Sequence, residues 1–260
     1  MVPDLSVVVP SWKDPLLHKT IDSLLSGARG RVEVIAVLDG YRPDREFSRD
    51  PRLTVVRLPE NRGMREAINA GAALARGHWL MRSDEHCIYA PGYDVALTEG
   101  LEDGTIQVPR RYKLDPVKWE VLPDPAVDYE KLVVSGTHNK FTGEHWVVRD
   151  RQRRDVPVDE TMAFQGSCWA MTRRHWETVV GRLQTEGYGT HYQDSVEMSM
   201  KTWQAGGRVM VTKRTWFAHK HRRFKRTHNY PAAAARASFD YALRIWRDYY
   251  EAVLRPRFGV

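Results

Sequence analysis

The chain is 260 residues long, 42% hydrophobic and 28% charged, with 40 Lys+Arg against 33 Asp+Glu and so a formal charge of +7. Nine Trp, eleven Tyr and seven Phe exclude a disordered chain, and no apolar run approaches the length of a membrane span. Two cysteines, Cys87 and Cys168, exclude a disulfide framework and point to a reducing cytoplasm.

The first ninety residues alternate between strand and helix patterns. Ser6-Val7-Val8-Val9-Pro10 is a β-branched run suited to a strand buried on both faces. Pro15 to Leu25 sets Leu16, Leu17, Ile21, Leu24 and Leu25 on one helical face, and Gly27 and Gly30 close it. Val32 to Leu38 and Leu53 to Leu58 are two more strands, Met64 to Ala75 is an Ala-rich helix, and His78 to Met81 begins a fourth strand. Strands separated by helices predict an α/β fold with parallel pairing and right-handed crossovers. Ligands in such sheets bind beyond the carboxyl ends of the strands, where Ser11, Asp39, Asn61 and Asp84 fall.

Between about 107 and 160 the pattern weakens, and we read short strands and long loops over one end of the sheet. Helical periodicity returns over 161–180 and over 194–204, where Val196, Met200 and Trp203 share a face. Residues 231–260 form a C-terminal helical extension packed on a catalytic domain of residues 1–230. No internal repeat and no long linker appears.

Three constellations carry chemistry. Ser83-Asp84-Glu85-His86-Cys87 follows a buried strand, and Asp84 and His86, two apart in extended chain, point the same way. A carboxylate and an imidazole so placed can share a divalent cation, or they are a solvated strand end and a core histidine. Residues 201–230 hold nine basic residues (Lys201, Arg208, Lys213, Arg214, Lys220, Arg222, Arg223, Lys225, Arg226), no acid, and interleaved His219, Trp216 and Phe224. Such a run is a solvated face or a phosphate grip. Asp194 opens the helix that ends at Trp203, either as an N-cap or as a carboxylate aimed at an attacking hydroxyl.

These motifs resemble the family 2-like nucleotide-sugar glycosyltransferases of the GT-A fold, a Rossmann-like, mostly parallel central sheet flanked by helices. The segments carrying the likeness are SVVVPSWKDPLLHKTIDSLL, VEVIAVLDG and NRGMREAINAGAALARGHWLMRSDEHC. The Asp84-Glu85-His86-Cys87 pattern is closer to the polypeptide N-acetylgalactosaminyltransferases, as are TMAFQGSCWAMTRRHWE, DSVEMSMKTWQAGG and WFAHKHRR. One departure is Phe164-Gln165-Gly166 where those enzymes pair two glycines. The stretch carries neither a signal anchor nor a lectin domain, so a secretory enzyme acting on mucin-like proteins is not expected.

The resemblance implies a UDP-sugar donor and a Mn²⁺ or Mg²⁺ ion held by Asp84, His86 and His219. It implies that Pro10, Ser11, Trp12, Asp39, Asn61, Ser83 and Glu85 line the nucleotide-sugar pocket, with Arg65 and Arg222 near the leaving diphosphate. Asp194 is the candidate general base and Glu197 the second choice; under retention Asp194 would orient the acceptor instead. His145, Trp146 and Gln165 are candidates for sugar selection.

The acceptor is expected to be a hydroxymethylated pyrimidine in DNA, of the kind that phages decorate with sugars. Gln165, Gly166, Trp169, Trp216, Arg223, Lys225 and Arg226 would contact it, and Trp169 or Trp216 would stack on an extruded base. The alternatives are a polysaccharide or lipid-linked glycan, and an inactive module of the same fold that only binds nucleic acid.

Overall fold

The computed structural model describes residues 2–135, 140–221, 223–224 and 232–260. In chain order its strands are β1 (Leu5–Ser11), β2 (Val32–Asp39), β3 (Leu53–Leu58), β4 (Trp79–Ser83), β5 (Cys87–Tyr89) and β6 (Thr105–Asp115). Then come β7 (Glu120–Val121), β8 (Glu130–Ser135), β9 (Lys140–His145), β10 (Val158–Glu160), β11 (Cys168–Thr172) and β12 (Arg208–Lys220). The helices are α1 (Leu17–Gly27), α2 (Met64–Ala72), α3 (Tyr93–Thr98), α4 (Val147–Gln152), α5 (Arg173–His175), α6 (Asp194–Gln204), α7 (Ala232–Tyr249) and α8 (Arg255–Phe258).

The main sheet runs β10-β12-β6-β11-β4-β1-β2-β3, with β5 paired to β12 and β7 to β6; β8 and β9 form a separate hairpin. Pairs β1–β2, β1–β4, β2–β3 and β6–β12 are parallel, while β11 inserts antiparallel between β4 and β6. Alternation explains the continuous apolar runs of β1 and β2. Val8, Ile35 and Val37 enter the core on one face, Val7, Val9, Val34, Ala36 and Leu38 the core on the other. Helix α1 covers the second face through Leu17, Ile21, Leu24 and Leu25, spaced one helical turn apart.

Two sequence expectations change. The stretch 161–180 contains the strand β11, whose five residues are all buried between two neighbours, followed by a short helical turn. Burial on both faces gives a run that periodicity alone does not separate from a buried helix. The region read as short strands and loops holds β6, an eleven-residue strand of the main sheet. The basic stretch beginning at 201 starts in the last turn of α6 and continues into β12, a strand of thirteen residues with a bulge between Thr212 and Trp216.

The C-terminal helix α7 supplies Ala242 and Trp246 to the same core as Val8 and Ile68, and the π-helical turn after it adds Tyr250 and Leu254. Trp246 donates its indole N–H to Tyr188 at 2.5 Å, and the Tyr250 hydroxyl donates to the Leu132 carbonyl at 2.9 Å. No helix of the described residues is long and apolar enough to cross a membrane.

Helix α2 lies directly on β1 and β2, and Gly71 is where it comes closest. A Cβ there would sit 2.4 Å from Val8 Cγ1 and 3.1 Å from Val37 Cγ2. Gly71→Ala is therefore expected to destabilise the fold by about 1–3 kcal/mol, opposite in sign to the roughly 1 kcal/mol gain of Ala over Gly in an open helix. A rise in the urea midpoint of this variant would contradict the packing described.

Candidate functional site

A cleft opens at the carboxyl ends of β1, β2 and β4, walled by Pro10, Ser11, Trp12, Asp39, Asp84, Glu85 and His86 on one side. Gln165, Gly166, Asp194, His219, Lys220 and His221 line the other. His219 arrives there because β12 pairs antiparallel with β5, setting His219 opposite Cys87 and next to His86.

Three donor atoms converge. His86 Nε2 lies 3.0 Å from His219 Nε2 and 3.9 Å from Asp84 Oδ2, and His219 Nε2 lies 3.1 Å from Asp84 Oδ2. An octahedral cation with bonds of about 2.0–2.1 Å holds neighbouring donors roughly 3 Å apart, so this spacing fits one divalent ion. The surroundings suit that task. The Asp14 carboxylate, buried, engages His86 Nδ1 at 3.1 Å, which leaves the Nε2 lone pair facing the other two donors. Arg82 donates to Asp84 Oδ1 at 2.5 Å, leaving Oδ2 toward the imidazoles.

The electrostatics follow from burial and charge. Burial pushes the His219 imidazole down to about 4, against its bond to Asp84, so the ring is neutral at pH 7 and keeps a lone pair. Burial also opposes a charged His86, but the bond to Asp14 and the charge of Asp84 outweigh it and raise its pKa. Burial would raise the Asp84 carboxyl; the Arg82 charge and the His219 bond overcome it and hold the group below the usual carboxylate range. Burial, with the Asp14 charge second, pushes Glu85 up to about 8. Glu85 Oε2 accepts the Trp12 backbone N–H at 3.0 Å.

Asp194 is the first residue of α6, not its cap; Gln193 occupies the cap in left-handed backbone at φ 62° and bonds the Phe141 carbonyl through its side chain. The Asp194 carboxylate lines the cleft, and its Oδ2 is buried without a hydrogen-bond partner among the described residues. Gly166 leaves the room it needs, since a Cβ at 166 would stand 2.6 Å from Asp194 Oδ2.

Several expected site residues have other work. Arg65 is fully buried, gives its N–H groups to the carbonyls of Tyr192 and Gln184 and to Glu197, and stacks 4.3 Å over the Tyr188 ring. Glu197 is equally buried between Arg65 and Lys201, the latter at 2.7 Å. Neither reaches the cleft, so Arg65 faces no diphosphate and Glu197 no acceptor. Ser83 is a core hydroxyl that accepts from Tyr89 at 2.7 Å and donates to the Asp84 carbonyl. Asn61 holds Asp39, whose carboxylate also accepts the N–H groups of Arg62 and Gly63, each at 2.7 Å; burial raises its pKa in spite of them.

On the acceptor side, Trp169 is 1% exposed and stacked on Trp176, so it cannot receive a base. Trp216 is half-buried on β12 with its ring edge-on to Tyr112, and Arg223 is exposed. Arg222, Lys225 and Arg226 lie outside the described residues. His145 pairs with Asp150, and Trp146 packs on Phe258; of the three sugar-selecting candidates only Gln165 lines the cleft. The sequence reading missed Asp14, Met64, Arg82, His191 and Tyr192, all of which line the cleft. Arg82 had a signal, a lone charge inside the buried run Trp79–Ser83.

The profile of glycosyl transferase family 2 matches residues 6–180. The chain is 26% identical over 246 residues to the putative polypeptide N-acetylgalactosaminyltransferase 13 of Drosophila melanogaster, a match covering 85% of this chain and 42% of the relative. It is 27% identical over 217 residues to polypeptide N-acetylgalactosaminyltransferase 6 of Bos taurus, covering 78% and 33%. A polypeptide N-acetylgalactosaminyltransferase 5 of Caenorhabditis elegans is 22% identical over 257 residues, covering 85% and 38%. Among solved structures, the crystal structure of GalNAc-T7 with UDP, GalNAc and Mn²⁺ matches at a TM-score of 0.75 and 18% identity, covering 96% of this chain and 50% of that one. That likeness shows a GT-A fold. The chain spans less than half the length of these curated relatives. With two thirds of its residues matched by the profile, the chain belongs to glycosyl transferase family 2.

The Arg65–Glu197 pair makes a prediction of its own. Glu197→Ala strands a buried guanidinium and should cost about 3–5 kcal/mol, read as a lowered urea midpoint. A variant that keeps wild-type stability but loses turnover would put Glu197 back in the reaction.

Proposed function

We propose that this family 2 transferase moves the sugar of a UDP-sugar onto a hydroxyl, and that the hydroxyl belongs to a 5-hydroxymethylpyrimidine in DNA. The observation that carries the first half is the cleft itself: Asp84, His86 and His219 converge on the same space that Asp194 lines, and Asp194 Oδ2 has no hydrogen-bond partner among the described residues. A Mn²⁺ or Mg²⁺ ion bound there supplies charge neutralisation for a leaving diphosphate. The similar proteins, a GalNAc-T7 crystallised with UDP, GalNAc and Mn²⁺ and a putative polypeptide N-acetylgalactosaminyltransferase, support the same class.

The chain's own residues divide the task. Asp14 fixes the ring of His86, and Arg82 fixes the carboxylate of Asp84. Pro10, Ser11, Trp12 and Glu85 offer the wall against which the nucleoside lies. Asp194 accepts the proton of the acceptor hydroxyl as the oxygen attacks the anomeric carbon. The bond from that carbon to the diphosphate oxygen breaks, and UDP leaves with its electron pair. If the transfer retains configuration, the same carboxylate holds the acceptor hydroxyl in place.

The DNA half rests on electrostatics, the +7 charge and the acid-free stretch 201–230. The structure narrows that argument. Lys201, Arg208, Arg214 and Lys220 are paired with Glu197, Glu160, Glu99 and Asp14, and Lys213 is bonded to Tyr129 and two carbonyls. What remains of the run is Arg222, Arg223, Lys225 and Arg226, of which Arg223, exposed, is the one within the described residues. A polypeptide hydroxyl is the second reading, and the observation in its favour is the acceptor named for all three curated relatives.

The test is transfer from radiolabelled UDP-glucose, UDP-galactose and their N-acetyl forms to hydroxymethyl-DNA, plain DNA, a Ser/Thr peptide mixture and a polyprenyl-glycan. Label in hydroxymethyl-DNA is expected; label in peptide or glycan alone overturns the acceptor. No transfer, with salt-sensitive DNA binding kept, would make the chain a binding module. Asp194→Asn should lower turnover by about 10²–10⁴-fold, the range for loss of a general base, while UDP binding measured by calorimetry survives. Near-normal turnover would remove Asp194 from the reaction.

A further inference from the structure

We propose that Arg82 is a positioning residue that couples the metal-binding carboxylate of Asp84 to the Asp194 carboxylate across the cleft, an inference that rests on the reading of the site given above. Arg82 stands in β4, the strand enclosed by β1 and β11, and is 2% exposed. Extended backbone sends residues 82 and 84 to the same side, so the guanidinium rises beneath the cation site. Nη2 donates to Asp84 Oδ1 at 2.5 Å, and Nη1 lies 3.8 Å from Asp194 Oδ2.

The fork is not saturated by the protein. Arg82 Nε and Asp194 Oδ2 are both buried without a hydrogen-bond partner among the described residues. The remaining polar contact of Arg82 is Met64 Sδ at 3.1 Å from Nη2, a weak acceptor. A guanidinium is planar and offers two terminal nitrogens in fixed relation, so one side chain can hold two carboxylates at a set separation. Lysine cannot do this. Two carboxylates against one guanidinium leave a net negative charge beside two imidazoles, which suits a divalent cation. Arg82 grips Oδ1 of Asp84, which leaves Oδ2, the oxygen beside His219, as the one that would hold such a cation.

Arg82 therefore acts through Asp84 on metal affinity and through Asp194 on acceptor attack. A counter-ion that only neutralises buried charge would act through neither, and a lysine would replace it. The variants are Arg82→Lys, which keeps the charge and loses the fork, and Arg82→Met, with Asp84→Asn and Asp194→Asn as references. The readouts are Mn²⁺ affinity, from the electron paramagnetic resonance signal of free Mn²⁺ with the metal alone, transfer kinetics, and the thermal midpoint of the metal-free protein.

Arg82→Lys is expected to weaken Mn²⁺ binding about 10–100-fold and to lower kcat at saturating Mn²⁺. Asp194→Asn should leave Mn²⁺ affinity within about twofold of wild type, because that residue is not a ligand. Adding Arg82→Lys to Asp194→Asn should then lower the residual kcat by much less than it does in the wild-type background. Arg82→Lys with wild-type Mn²⁺ affinity and kcat overturns the proposal even if Arg82→Met fails to fold. A wild-type chain whose Mn²⁺ binding is absent, or indifferent to Asp84→Asn, brings down the reading of the site itself and this inference with it.

Discussion

The site depends on one register, the pairing of β12 with β5. His219 stands opposite Cys87 in that pairing, which puts its ring beside that of His86 although the two residues are 133 positions apart. Side chains alternate faces along a strand, so a slip of one residue would send His219 to the other side of the sheet. The register is secured elsewhere. Phe217 packs its ring 6.0 Å from Tyr89, Ala218 is fully buried, and β12 continues as the parallel partner of β6 over ten residue pairs. The bulge between Thr212 and Trp216 is the one place where the ladder shifts, and it lies between the core-facing half of β12 and the half that reaches the cleft.

Around this register the cleft is framed by buried charges that are each tied down. Asp39 closes the turn into α2 by taking two backbone N–H groups, Arg65 and Glu197 lock α2 to α6, and Glu33 gathers Ser6 and Arg76 at the opposite end of the sheet. Buried pairs of this kind contribute little net stability, but breaking one partner is costly. Their effect is geometric. The Arg65–Glu197 pair holds the start of α6, which is what sets Asp194 at the cleft. Asp194 itself keeps an unpartnered oxygen, the contrast expected of a group held ready for something the protein does not supply.

Much of this was legible in the sequence, and the reason is local. The first three strands and two helices have apolar spacings that neighbours in sequence decide, and the structure places them within a few residues of expectation. Asp84 and His86 were legible as ligand types at the end of a buried strand, but residues 85 and 86 turn between β4 and β5, so the turn and not extended spacing brings the two side chains together. Arg65, Glu197 and Ser83 were misplaced for the complementary reason. Whether a polar side chain turns to a cleft or to another buried group depends on contacts such as Arg65 with Tyr192 and Gln184, more than a hundred residues away, which no spacing encodes. Trp169 was misread likewise, since its stacking on Trp176 requires knowing that 168–172 is a strand.

The charge is where sequence and structure differ most in meaning. Read along the chain, 201–230 is an uninterrupted basic run; in space its first five cations are answered by Glu197, Glu160, Glu99, Asp14 and carbonyl groups from other elements. An ion pair with a distant acid removes a charge from the surface field as effectively as a neighbouring acid in sequence would. The net +7 is therefore no measure of how strongly the β12 face attracts a polyanion. A polyanion would meet, over the described part of β12, cations that are already answered. At the cleft Gly166 stands against Asp194, in the segment where this sequence departs from the paired glycines of the enzymes it resembles. The Gln165 side chain is turned back on its own loop, where its oxygen accepts the Ser167 backbone N–H at 3.1 Å, so the departure is held locally beside the cleft while Asp84, His86 and His219 keep the resembled pattern.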